Sequence, residues 1–93
     1  MESIFSLENK KAIITGAAKG IGRSIAILFA RLGAESTLVD IDESGLKQTV
    51  EQIKREGREA HPVVADITDI KAIENLVQEA ISKMGRIDIL VNN

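Results

Sequence analysis

Short runs of β-branched and other apolar residues alternate along this chain with longer stretches of helical period, and this alternation narrows the possible folds more than any other feature. The strand candidates are Lys11–Thr15, Ser36–Val39, Pro62–Ala65 and Ile87–Asn92. Their near-continuous apolar character is that of parallel strands covered on both faces. The first helical stretch carries Ile21, Ile25, Leu28, Phe29 and Leu32, and the second places Leu46, Val50 and Ile53 on one stripe. The third has the broadest apolar face, with Ile70, Ile73, Leu76, Val77, Ala80, Ile81 and Met84. Gly33, Gly57 and Gly85 each follow a basic last turn (Arg31; Lys54 and Arg55; Lys83), which predicts left-handed caps with cations against the helix dipole. Asp42 and either Thr68 or Asp69 are the N-cap candidates. With no linker, repeat or low-complexity tract, the order β-α-β-α-β-α-β predicts crossover connections and one parallel sheet, half of a doubly wound α/β fold.

Composition excludes several classes. Ninety-three residues, 44% apolar and 28% charged, suit an ordinary globular chain. The net charge of −2 gives no bias toward nucleic acid or an anionic membrane. Without cysteine there is no disulfide, thiol nucleophile or Cys-type zinc site. Glu2, Glu8, Lys10 and Lys11 break the opening segment, so it lacks a signal-peptide core, and no apolar run approaches the ~20 residues of a membrane span. The expected setting is cytoplasmic.

The first strand runs into Thr15-Gly16-Ala17-Ala18-Lys19-Gly20-Ile21-Gly22 and then the first helix. Gly16 permits a tight turn, Gly20 lets a ligand approach the helix N-terminus, and Gly22 lets the helix lie close on the sheet. Free amides and the helix dipole there favour an anion, typically a pyrophosphate. The spacing is G-x-x-x-G-x-G, neither the commoner G-x-G-x-x-G nor a Walker loop, since no Gly-Lys-Ser/Thr follows. A glycine-rich turn with no ligand is the bland alternative.

At these residues the chain resembles the short-chain dehydrogenases/reductases, whose Thr-Gly-x-x-x-Gly-Ile-Gly cofactor motif Thr15–Gly22 matches at every defined position. Asp66-Ile67, after the third strand, resembles that family's adenine-contacting Asp-hydrophobic pair. Asn92-Asn93, after the fourth, resembles the start of its Asn-Asn-Ala-Gly motif. The resemblance extends from about Leu7 onward. It implies that residues 1–93 are the N-terminal part of a single Rossmann-like NAD(P)-binding domain, truncated after the fourth strand. It further implies an enzyme that moves hydride between a nicotinamide cofactor and an alcohol or carbonyl substrate, usually as a homo-oligomer. The family's chemistry uses a Ser and a Tyr-x-x-x-Lys. No tyrosine stands anywhere in these 93 residues, so the chain alone is expected to be inactive and no catalytic residue is assigned to it.

The cofactor choice rests on Asp40, eighteen residues beyond Gly22. A carboxylate there accepts from the adenosine ribose hydroxyls and repels the 2′-phosphate of NADP. Two unit charges ~4 Å apart at an effective dielectric of ~20 interact by about 4 kcal/mol, an upper bound for a wet site. Lys19 pulls the other way, because the family's NADP users often carry a base just before the second glycine. Ile41, not a second base, follows Asp40, so NAD is expected over NADP. The candidate cofactor-binding residues are therefore Gly16, Lys19, Gly20, Ile21, Gly22, Asp40, Asp66, Ile67 and Asn92.

Each has a structural alternative. Asp40 caps the next helix, Asp66 is an ordinary turn acid, Lys19 is merely solvated, and Asn92-Asn93 is an uninformative pair. His61 reads as a solvent-edge structural histidine. Two other functions stay open for the whole chain: a non-catalytic nucleotide-binding module, and half of an S-adenosylmethionine methyltransferase, which shares the topology but not the glycine spacing. The fourth strand, with Ile87, Ile89, Leu90 and Val91, is expected to present an exposed apolar edge, a site for aggregation or pairing, and to leave the isolated chain poorly soluble or marginally stable.

Overall fold

A computed structural model describes residues 5–93. Glu2, one of the charges that interrupt the opening segment, lies outside them. The elements follow the expected order: β1 (Lys11–Thr15), α1 (Gly20–Arg31), β2 (Glu35–Asp40), α2 (Glu43–Arg55), β3 (Ala60–Val64), α3 (Ile70–Met84) and β4 (Ile89–Val91). All four strands are parallel in one sheet of order β3-β2-β1-β4. The chain builds outward from β1 to β3 and then crosses to the other side of β1. That reversal is the topological switch point of a Rossmann-like fold, where a crevice opens at the carboxyl ends of β1 and β4.

Each face of the sheet carries its own core. On one, Ile14, Leu38 and Ala60 pack with Ala26 and Ala30 of α1 and with Leu46, Val50 and Ile53 of α2. On the other, Ile13 and Val39 pack with Leu76, Ala80 and Met84 of α3. The cap expectations hold. Gly33, Gly57 and Gly85 have positive φ, and Asp42 and Asp69 cap α2 and α3 by accepting from the Gly45 and Lys71 amides, each at 3.0 Å.

The buried face of α1 is not the expected stripe. Ile21 and Leu28 are 71% and 51% exposed, and the fully buried residues are Gly22, against the glycine turn, and Ala26 and Ala30, against the sheet core. Close approach of helix to sheet selects small side chains, which an apolar stripe counted by bulk passes over. On α3 only Leu76, Ala80 and Met84 are buried, while Ile70, Ile73, Val77 and Ile81 stay exposed. The strand ends also move. β2 and β3 start earlier than the apolar runs, because Glu35 pairs with Lys11 and Ala60 with Ser36 at a charged and a polar position. β4 is shorter than Ile87–Asn92. Both edge strands lack cover on one side, so Val64 and Leu90 are exposed where continuous burial was expected. Of the expected apolar edge on β4, Leu90 is the exposed member, whereas Ile87 and Val91 pack against the two cores.

Candidate functional site

β1 ends at the switch point, and the glycine turn leaves it there. Gly16 has φ +66°, a left-handed conformation a side chain would strain, and an added Cβ would lie 2.9 Å from the Asn93 side-chain nitrogen. Gly20 has φ +60°, and apart from its chain neighbours and the backbone of its own helix no heavy atom of the described residues lies within 4 Å of where a Cβ would stand, so the turn is open on that side. Gly22 owes its smallness to the turn itself rather than to the sheet. A Cβ there would stand 1.9 Å from the Gly16 carbonyl oxygen.

The N-terminus of α1 is unlike those of α2 and α3. Its N-cap residue, Lys19, is extended and exposed, and among the described residues no side chain caps the helix. The helix ladder starts only with the Arg23 N–H donating to the Lys19 carbonyl at 3.3 Å. Among the described residues the preceding amides have no acceptor, which leaves orphan donors at the positive end of the helix dipole, as a diphosphate requires.

Beside the turn, β2 delivers Asp40. Its carboxylate accepts from the Ala18 N–H and from the Asp42 N–H, each at 3.0 Å. Asp40 is therefore not the cap of α2, a role Asp42 fills. It ties the glycine turn to the end of β2 and keeps acceptor capacity, since a carboxylate takes about four hydrogen bonds. Asp66 follows β3 in a local turn, where Oδ1 accepts from the Thr68 amide at 2.9 Å and from its hydroxyl at 2.7 Å. Those two bonds, the hydroxyl first, hold its carboxyl below the usual aspartate value. The turn role foreseen for Asp66 is real, and its second oxygen is left over.

Gly16, Asp40, Asp66 and Ile67 line one hollow of about 190 Å³ together with Val39, Ala65 and Asn93. Lys19, Gly20, Ile21 and Gly22 stand at the turn and the first helical turn rather than in its lining. Asn92 does not line it. Its side-chain oxygen accepts from the Thr15 hydroxyl at 3.0 Å, and the residue faces an apolar recess on the α3 side of the sheet. The next residue, Asn93, lines the hollow and donates its backbone N–H to Thr15 Oγ1 at 3.1 Å. Alternation along an extended chain sends neighbouring side chains to opposite faces, which the motif match alone did not resolve. Sequence reasoning also passed over Thr15 as the link between β1 and β4, and over Arg23 and Thr49 beneath the turn. Polar residues inside helices give no signal until their partners are known.

The model of the short chain dehydrogenases matches residues 10–93. The chain belongs to the short-chain dehydrogenase family. It is 45% identical over 87 residues to the 7alpha-hydroxysteroid dehydrogenase of Escherichia coli, covering 94% of this chain and 34% of that one. Among solved structures, a 7 alpha-hydroxysteroid dehydrogenase complexed with NADH and 7-oxo glycochenodeoxycholic acid superposes with a TM-score of 0.93 at 44% identity, over 96% of this chain and 35% of that one. The 2-keto-3-deoxy-D-gluconate dehydrogenase of Streptococcus agalactiae superposes with a TM-score of 0.86 at 46% identity, over 96% and 34%. This short-chain dehydrogenase chain thus spans about a third of the length of the relatives it matches. Among the described residues no helix is long and apolar enough to cross a membrane.

Proposed function

We propose that this chain is the adenosine- and diphosphate-holding part of an NAD-dependent oxidoreductase that moves hydride between the nicotinamide and an alcohol or carbonyl substrate. The observation that carries this reading is the conjunction, at one switch point, of the uncapped N-terminus of α1 with the Asp40 carboxylate in the adjoining hollow. The residues fit the cofactor. Orphan amides suit a diphosphate, open space at Gly20 suits close approach, and an acid with spare acceptor capacity suits ribose hydroxyls. Gly16, Lys19, Gly20, Ile21 and Gly22 would hold the diphosphate, Asp40 the ribose, and Asp66 and Ile67 the adenine, with Asn92 fixing Thr15 at the end of β1. The cofactor supplies the hydride acceptor or donor. The chain's part is to bind and orient it.

The NADH bound in the neighbouring solved structure supports a nicotinamide nucleotide. The preference for NAD rests on Asp40, whose negative charge would face a 2′-phosphate. The 93 residues include no tyrosine, so this reading assigns them cofactor binding and no part of the proton relay expected of the family. A cytoplasmic setting and a homo-oligomeric enzyme complete the proposal.

Titration with NADH and NADPH tests it. NADH is expected to bind at least about tenfold more tightly, a difference well inside the ~4 kcal/mol electrostatic bound. Asp40→Ser should narrow that gap. Equal affinity for both cofactors overturns the NAD preference, and no affinity for either overturns the site.

A further inference from the structure

Beneath the glycine turn lies a polar assembly that no motif of the family resemblance includes. Arg23, in the first turns of α1, reaches across to α2. Its Nε donates to Thr49 Oγ1 at 3.0 Å. Its Nη2 donates to the Ala18 carbonyl, to the Gly45 carbonyl at 3.2 Å and to Gln48 Oε1 at 3.3 Å. Thr49 is fully buried, and its hydroxyl donates in turn to the Ala17 carbonyl at 2.7 Å. Two successive carbonyls of the turn are thereby held from below, one by the guanidinium and one by the hydroxyl that the guanidinium itself orients. Gly45 lets α2 come this close, since a Cβ there would stand 2.9 Å from the Ala18 Cβ and 3.0 Å from its carbonyl oxygen.

A trans peptide is planar, with its C=O and N–H on opposite sides. Holding a carbonyl therefore aims the next residue's amide the other way. The Ala17–Ala18 peptide has its carbonyl on Thr49 and its N–H on Asp40. The Ala18–Lys19 peptide has its carbonyl on Arg23, and its N–H has no partner among the described residues. We propose that Arg23, acting with Thr49, is a positioning residue for dinucleotide binding: it grips the Ala18 carbonyl and so turns the Lys19 amide outward to the diphosphate, while Thr49 turns the Ala18 amide onto Asp40. The inference rests on the cofactor reading above and deepens it. The same two side chains set the diphosphate amide and steady the ribose acid.

Fluorescence titration of NADH into the full chain, with circular dichroism confirming folding at the same temperature, tests this. Arg23→Gln should raise the Kd about tenfold, as losing charge-assisted hydrogen bonds that preorganise a site implies. Arg23→Lys should raise it less, because it keeps the cation but not the fork. Thr49→Val, equal in shape, should weaken binding several-fold, and Thr49→Ser should restore it. A role confined to stability would lower the melting midpoints of Arg23→Gln and Thr49→Val and leave the Kd of the folded molecules unchanged, and that result overturns the proposal. If Arg23→Gln does not fold, the Thr49→Val and Thr49→Ser pair decides by the same criterion. Failure of the wild type to bind NADH is a different result, which overturns the cofactor reading and this inference with it.

Discussion

Gly20 and Gly22 stand two residues apart in one motif and are glycine for different reasons. At Gly22 an alanine Cβ would fall 1.9 Å from the Gly16 oxygen, a collision that only a backbone shift relieves. At Gly20 there is room, and the cost is that of a left-handed φ, roughly 1–2 kcal/mol. Gly22→Ala is therefore expected to lower the melting midpoint much more than Gly20→Ala, whereas Gly20→Ala should weaken NADH binding while the fold persists. Equal losses of stability would contradict this account. At the opposite end of the sheet, the Glu35 carboxylate joins Lys11 Nζ and His61 Nε2, each at 2.6 Å. The bond from Lys11 first, and that from His61 second, hold its pKa below the ordinary 4.5. A carboxyl depressed in the folded state contributes stability that is complete above its unfolded value and is lost as pH falls through it toward the folded one. The contribution from Glu35 should therefore be intact at neutral pH and decline below pH 4.5. Asp88 adds a similar decline, chiefly because the Lys11 amide donates to it. Glu35→Gln should lower the melting midpoint at pH 7 and flatten its fall in acid, and melting curves recorded across that range would expose parallel slopes if the account were wrong.

Among the elements, β2 and α1 show how a central layer is fitted. β2 lies between two strands, so residues on both of its faces are buried, Ser36 and Thr37 included. Thr37 finds the Met84 sulfur at 3.6 Å, but the Ser36 hydroxyl, on the face shared with α1 and α2, is buried without a partner among the described residues. Ser36→Ala removes an unpaired buried donor at little change in volume and is expected to stabilise the chain by about 1 kcal/mol. Urea unfolding would reveal a loss of stability if that hydroxyl had a role. The neighbouring α1 presents Gly22, Ala26 and Ala30 inward, and the larger Ile25, Ile27 and Phe29 pack only partly against the core. In this helix the buried stripe is marked by small size rather than by hydrophobicity.

For the whole molecule, the two faces of the sheet are unequally covered. α1 and α2 close one face. On the other, α3 covers Ile13 and Val39 but leaves Ile73, Val77 and Ile81 exposed, and Leu90 on edge strand β4, 66% exposed, shares a recess with Ile73 and Val77. An apolar recess of about 290 Å³ runs between α3 and β4, and among the described residues no strand pairs with the edge of β4 away from β1. Exposed apolar edges of this kind favour strand pairing between molecules. The 93-residue chain by itself should therefore self-associate as concentration rises, and Leu90→Lys should suppress the association. Sedimentation of a concentration-independent monomer of the unaltered chain would contradict this.

The order of elements, the parallel sheet, the caps and the glycine turn were all legible in the sequence because each depends on local chemistry: β-branched runs, helical period, and residues that tolerate a positive φ. Asp42 rather than Asp40 as a cap was legible too, since capping reaches only two or three residues. Tertiary structure alone decided which stripe of α1 is buried, because close packing depends on the partner surface and not on the helix. It decided that Asn92 turns toward Thr15 while Asn93 lines the hollow, because the face a side chain takes is set by strand pairing. It also decided that Arg23 and Thr49, separated by 26 positions, meet beneath the turn. Hydrogen-bond partners that far apart are chosen by how α1 and α2 pack against one sheet, and no spacing along the chain encodes that.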